Sequence, residues 1–213
     1  MNRIVFFGIL LFLFSSCEKD TVDYGLGEYY KEIATVLEEN YTYLLDNGET
    51  LYEINPRNNA SYETGRRVLL IYSYIGEKTT TSAPQAITVH GASAIAQGKL
   101  KAVSKEELAT FDNHPIRMES IWIGSHYLNL RFYLEYKSEA HTIALLCDEN
   151  DLDKKEINLY FKHDTNNDPP GYFSSMQTSF DLSQVLGEPK GDRTLLVNIQ
   201  TDNYGNKDYQ FNY

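Results

Sequence analysis

Basic side chains are scarce in this sequence. Its 213 residues carry 19 Lys and Arg against 30 Asp and Glu, a formal net charge of −11. Phosphate backbones and anionic lipid repel such a chain, so no nucleic-acid partner is expected. Cysteine is nearly absent, with only Cys17 and Cys147. Cys147 closes an apolar run over 142–147 and is followed by Asp148 and Glu149. A reactive thiolate needs a cation or base beside it, and carboxylates push a thiol's pKa the other way. Cys147 therefore reads as a small buried apolar residue. The chain also lacks a Gly-x-Ser-x-Gly elbow, a phosphate-binding glycine loop and a His-Glu-x-x-His pair. Its histidines (His90, His114, His126, His141 and His163) are too far apart in sequence for a short-range metal pair. No catalytic residue, cofactor or metal site is expected. A hydrolase of envelope or dietary polymers is the less favoured alternative.

Long apolar runs are missing except at the head. Arg3 is followed by an apolar run over 4–14 and then by Ser15-Ser16-Cys17. As a helix that run reaches about 16 Å, roughly half a hydrocarbon core. It fits a secretory signal peptide better than a membrane span. A cysteine directly after small residues has the layout of a bacterial lipoprotein site, although Phe14 stands where the usual pattern has Leu. The expectation is a signal peptide over 1–17, an acylated Cys17, and a tether over 18–26. Cys17 would then be spent on lipid, leaving Cys147 without a disulfide partner. Without its leader the chain carries a formal charge of −12. Glu18-Lys19-Asp20 after the cysteine resembles the surface-export signal of gut-type Gram-negative anaerobes. Location at the outer membrane, through the lipid anchor and with exposure at the cell surface, is the corresponding expectation.

Helical patterning is also scarce. Aromatic and apolar runs over 41–45 and 49–54 flank Asp46-Asn47-Gly48, a hairpin signal. A hairpin needs a third strand, and residues 30–37 supply one. Further strands are read over 68–75 and 86–91, with 92–103 as a last short strand or turn. Arg66-Arg67 at the start of the fourth strand reads as a solvated pair, with an anion site as the alternative. Ser104 with Glu107 has the capping-box pattern of a short helical turn. After it, alternation over 127–137 gives a half-buried strand with one wet face. Similar runs at 118–123, 143–147, 157–162, 176–182, 195–199 and 209–213 bring the total to about seven. The fold class is all-β: a small OB-like Greek-key barrel over 27–103, then an antiparallel β-sandwich over 104–213.

Two groups of side chains stand out as sites. Tyr127, Tyr133 and Tyr160 read as residues of one wet sheet face, where aromatics stack on sugars or form a protein interface. Cross-strand pairing is the plainer account. Asp164, Asn166 and Asp168 have the oxygen spacing that opens a calcium loop, but the sixth place holds Pro169 and the twelfth Ser175. A polar turn with Asx side chains on their own backbone is preferred.

Five stretches stand out by their order and spacing: Gly27-Glu28-Tyr29-Tyr30, Leu45-Asp46-Asn47-Gly48-Glu49-Thr50-Leu51, Gly65-Arg66-Arg67-Val68-Leu69, Ile121-Trp122-Ile123-Gly124 with Tyr127-Leu128-Asn129, and Phe161-Lys162-His163-Asp164 with Asp168-Pro169. Together they resemble the NigD-like lipoproteins. The resemblance implies an OB-type domain followed by a β-sandwich. It carries over no catalytic residue, and it implies a link to bacteriocin production or self-immunity only through the family name. The function expected is a non-enzymatic envelope lipoprotein that binds a protein or glycan partner.

Overall fold

The computed structural model describes residues 28–38, 41–54, 62–78 and 83–213. Cys17, the signal segment 1–17 and the tether 18–26 lie outside the described residues. In the first half, β1 (Tyr30–Glu38), β2 (Thr42–Leu45), β3 (Thr50–Glu53), β4 (Arg67–Tyr74) and β5 (Gln85–Ala94) close a barrel in the order β1-β2-β3-β5-β4. Its pairings are antiparallel except β3 with β5. The β2–β3 hairpin turns at Gly48, whose φ of 85° suits a residue without a Cβ. Alternate residues point inward, so that Ala34, Val36, Tyr43, Leu45, Leu51, Val68, Leu70, Tyr72 and Ile87 fill the interior. Register shifts at Val36/Glu38 and Ile71/Tyr72 supply the bends a five-stranded closure needs.

The second half contains β6 (Ala96–Val103), α1 (Lys105–Leu108), β7 (Arg117–Gly124), β8 (Tyr127–Tyr136), β9 (Thr142–Asp148), β10 (Glu156–Asp164), β11 (Tyr172–Asp181), α2 (Ser183–Leu186), β12 (Thr194–Thr201) and β13 (Gly205–Asn212). Its strands form one eight-stranded sheet ordered β13-β12-β10-β9-β6-β11-β8-β7. The sheet folds over itself so that Phe132 of β8 meets Phe161 of β10 edge to face, 5.5 Å between centroids. Leu128, Leu130, Leu134, Leu145, Leu159, Phe180, Val197 and Ile199 share that core. The Ser104 hydroxyl accepts a hydrogen bond from the Glu107 amide at 3.1 Å, capping α1 as its spacing implies.

Two features differ from the sequence reading. The stretch assigned to the end of the barrel unit, 27–103, includes β6, yet β6 is hydrogen-bonded between β9 and β11 of the large sheet. The barrel is already closed by β1 on β4 and has no edge left to offer, while Leu100 faces the sandwich core. Only Ile95 separates β5 from β6, so one extended run leaves the barrel and enters the sandwich. In addition, β6–β9, β6–β11 and β10–β12 run parallel within the largely antiparallel sandwich. Alternation reports which face a residue takes and is silent on strand direction.

The two units meet on Arg67, which is 1% exposed. Its guanidinium lies 2.7 Å from Asp46 Oδ1, donates to Asn129 Oδ1 at 3.0 Å and to Thr35 Oγ1 at 3.0 Å, and stacks 4.2 Å from the centroid of Tyr127. Asn129 donates in turn to Asp46 Oδ2 at 2.9 Å, and Ser179 donates to Asn129 Oδ1 at 2.6 Å. The expected solvated pair is therefore split. Arg67 is buried because the sandwich covers this end of β4, whereas Arg66 reaches only the Ile95 carbonyl, at 3.2 Å. Gly124 backs onto the Asp46 side chain with no room for a Cβ. Removing one member of such a pair strands a buried charge. Asp46→Ala is expected to lower the unfolding free energy by about 3–5 kcal/mol, read by denaturant melts, and Gly124→Ala to destabilise through the same contact. An Asp46→Ala loss below ~1 kcal/mol, as at an exposed pair, would refute this.

Candidate binding cleft

Strands β10 and β12 run side by side from Glu156 and Thr194 only as far as Tyr160 and Asn198. Beyond that point they separate, and residues 114–116 fill the fork. His114 N donates to the His163 carbonyl at 2.7 Å, Ile116 N to Gln200 O at 3.0 Å, and Asp202 N to Ile116 O at 3.0 Å. Ile116, 1% exposed, anchors this wedge in the core. The chain then turns into β7 and leaves a cleft of ≈ 430 Å³ against β8 and the β10–β11 loop.

The mouth of the cleft is aromatic, with one arginine. Arg117 lies 3.9 Å from the centroid of Phe173, while its Nε donates to Asp202 at 2.9 Å. Tyr133, Glu135, Pro169 and Pro170 complete the rim, and buried His163 lies at the floor. Two of the three carboxylates that line the cleft are already engaged: Asp202 by Arg117, and Asp168 as described next.

Asp168 lies in the β10–β11 loop with its side chain fully covered. Its oxygens accept hydrogen bonds from the amides of Lys137 at 2.7 Å, Ser138 at 3.0 Å and Glu139 at 3.0 Å. Burial alone would push this carboxyl up; the three backbone N–H groups and His141 outweigh it and hold it well below the usual carboxylate range. His141 Nε2 lies 3.3 Å from Asp168 Oδ2, and His141 Nδ1 lies 2.9 Å from His163 Nε2. His163 Nδ1 lies 3.2 Å from the His114 carbonyl oxygen. Burial drives the His163 pKa down to about 4, against the partial support of the His114 carbonyl. Gly171 lets the loop return, since a Cβ there would overlap the Tyr136 carbonyl.

The residues singled out in the sequence fall in three places. Tyr127 is buried beneath Arg67, not on a wet face, because the barrel covers the first half of that side of β8. Tyr133 is half-buried in the cleft wall. Tyr160 is half-buried on β10, whose Leu159 and Phe161 face the sandwich core as Phe132 does from β8. Tyr133 and Tyr160 therefore point from opposite outer faces and share no surface. In the acidic loop, Asp164 Oδ1 accepts the Asn166 amide at 2.8 Å, and Asn166 takes a φ of 51°. This is the Asx turn preferred from sequence, with Asp168 turned inward. Among the described residues no group of three or more His, Cys, Asp or Glu side chains is disposed to hold a metal ion. Cys147 is fully buried, and burial followed by Asp151 and Asp148 pushes its thiol up to about 11.

Sequence reasoning missed the joining of His114, His141 and His163, which lie on separate elements. Only the alternation of His163 with Ile157, Leu159 and Phe161 hinted that it faces inward. Because His163 stays neutral when folded but takes a proton near 6.5 when unfolded, stability falls as pH drops from about 6.5 toward 4. The wild type should lose on the order of 3 kcal/mol more over that span than His163→Gln, measured by melts at each pH. Equal slopes would show that His163 is not held neutral.

A family model described as the NigD-like C-terminal β-sandwich domain matches residues 99–213. Among solved structures, a protein of unknown function from Bacteroides vulgatus superposes with a TM-score of 0.72 at 21% identity, covering 87% of this chain and 90% of that one. A NigD-like immunity protein from Bacteroides caccae gives 0.58 at 17%, covering 89% and 94%. A candidate lipoprotein from Bacteroides fragilis gives 0.61 at 14%, covering 87% and 96%. At these identities the likeness is one of fold. No curated protein matches.

Proposed function

The chain belongs to the NigD-like family, and from that premise we propose that it is a lipid-anchored protein of the bacterial envelope that binds a protein partner through its cleft and performs no catalysis. The observation that carries this reading is the state of Arg117. It is stacked on Phe173 and tied to Asp202, so its guanidinium stands at the rim in a fixed position. Arginine and aromatic side chains held ready in this way are what protein interfaces use as anchors, because little entropy is lost on docking. Glycoside hydrolysis is disfavoured by the same geometry: with Asp168 and Asp202 engaged, Glu135 is, among the described residues, the one carboxylate lining the cleft without such a bond, and that reaction uses a pair. Anchorage through Cys17 is supported by the head of the sequence and by the candidate lipoprotein from B. fragilis, and a place at the outer membrane facing the cell exterior by Glu18-Lys19-Asp20 after the cysteine alone. A second reading, protection of the producing cell from a bacteriocin, is favoured by the name of the B. caccae neighbour.

Capture from intact cells with the wild-type chain and with an Arg117→Ala/Phe173→Ala variant tests the binding. A partner retained by the first and lost at least tenfold by the second is expected; identical captures would overturn the cleft. Binding to a glycan array with the same sensitivity would replace the protein partner by a sugar. Acyl labelling should disappear in Cys17→Ala, with release of the body from the membrane fraction. A deletion strain as resistant to its neighbours' toxins as its parent would remove the second reading.

A further inference from the structure

We infer that Asp168, His141 and His163 form a proton-loaded latch: the chain of side chains binds one proton more than two neutral imidazoles bring, and that proton fastens the β10–β11 loop and the 114–116 wedge, which line the cleft, to the β8–β9 connection behind them. The argument is a count. The chain has three contacts in series, Asp168 Oδ2 to His141 Nε2 at 3.3 Å, His141 Nδ1 to His163 Nε2 at 2.9 Å, and His163 Nδ1 to the His114 carbonyl at 3.2 Å. Both ends are acceptors, a carboxylate and a backbone carbonyl. Three hydrogen bonds need three protons, and two neutral imidazoles supply two. In the neutral state one contact must therefore set lone pair against lone pair: His141 against Asp168, His141 against His163, or His163 against His114.

The position of the third proton follows from the surroundings. Asp168 already accepts three backbone N–H groups, which favour its ionised form. His163 has no charged partner in the chain, and its depressed pKa agrees with a neutral ring. His141 lies between them, its side chain 4% exposed and in contact with the carboxylate. The proton thus sits on His141, where both ring nitrogens donate and the imidazolium is neutralised by Asp168. The other groups around the chain do not replace it. The Tyr136 ring of β8 is 6.0 Å from His141 and the His114 ring is 6.1 Å from His163. Asp164, next along β10, bonds the Asn166 amide, and Glu139 lies beside the latch, accepting the Ser138 hydroxyl at 3.5 Å.

The latch joins segments far apart in sequence: the β8–β9 connection through 137–141, the β10–β11 loop through Asp168, and the wedge through His114. With the proton bound they are tied together. Once pH is high enough to remove that proton, one contact turns repulsive and the loops it ties loosen. Partner binding at the cleft should then be stronger at mildly acid than at alkaline pH; that consequence rests on the proposed function, and the latch itself does not.

Ring protonation in the free, full-length chain tests the latch without any partner. Histidine labelled with 15N and read by long-range 1H–15N correlation at about pH 6 should show both His141 nitrogens protonated and His163 protonated at Nδ1 alone. Amide protection at 137–141 and 165–168 should fall at least several-fold as pH rises, with the midpoint of the His141 change. Asp168→Asn removes the charge that holds the third proton, and an NH2 facing His141 would meet the Lys137 N–H that Oδ2 now accepts, so in that variant protection should be lower at acid pH and lose its dependence on pH. A singly protonated His141 at about pH 6 would overturn the proposal, as would loop protection that ignores the His141 midpoint. Both are read on the wild type, whether or not the variant folds. Loss of pH-dependent partner binding with the ring pattern intact would count against the cleft and leave the latch standing.

Discussion

The guanidinium of Arg67 has no path to water, so it must find every partner inside the protein. Asp46 supplies the opposite charge from the β2–β3 turn, Asn129 an amide oxygen from the sandwich, and Tyr127 a ring face. A charge satisfied from two units at once fixes how those units sit. If either withdrew, the remaining one would hold an unpaired ion in a low-dielectric seam. The barrel and sandwich are therefore best understood as halves of one body, joined by the continuous β5–β6 run and by this polar seam.

That seam also explains where most of the family resemblance lies. Asp46 in its turn, Arg67 at the head of β4, Gly124 at the end of β7, and Tyr127 and Asn129 at the start of β8 are far apart in sequence and adjacent in space. These stretches serve assembly. Of the remaining two, the first ends at Tyr30, which opens the barrel and stacks on Tyr72, and Phe161 to Asp164 with Asp168 and Pro169 lies at the cleft, where His163 and Asp168 order the wall. Family membership on such motifs reports architecture more strongly than chemistry, and it transfers no catalytic set.

The cleft arises from a topological irregularity. Two parallel strands, β10 and β12, separate and are bridged by a segment that belongs to neither. Strand β8 forms one wall, but the others include the wedge and the β10–β11 loop, which carry few of the ladder hydrogen bonds that make strands rigid. Asp168 compensates by gathering three backbone amides and a histidine onto one carboxylate, with the Asx turn at Asp164 and the close return at Gly171 shaping the loop around it. A wall held by titratable groups rather than by apolar packing is sensitive to protons in a way the two cores are not.

Period-two alternation was enough to place nearly every strand, because a half-buried strand must put apolar side chains on one face. The Asn-Gly turn at 47–48 and the Ser104 cap followed from local chemistry that needs no distant partner. Alternation could not tell that the polar face of β8 is wet only in part, since what covers Tyr127 comes from β4, some sixty residues away in sequence. Nor could it give the direction in which β6, β10 and β12 pair, or assign β6 to the sandwich, because a strand's sequence records its faces and not its neighbours. The burial of Arg67 and the meeting of His114, His141 and His163 were decided by tertiary structure alone: each depends on distances between segments that no local spacing constrains. The positions of the strands along the chain and most of the two cores were thus written locally, while strand order, the seam and the cleft, where charge is buried, exist only once the sheets have closed.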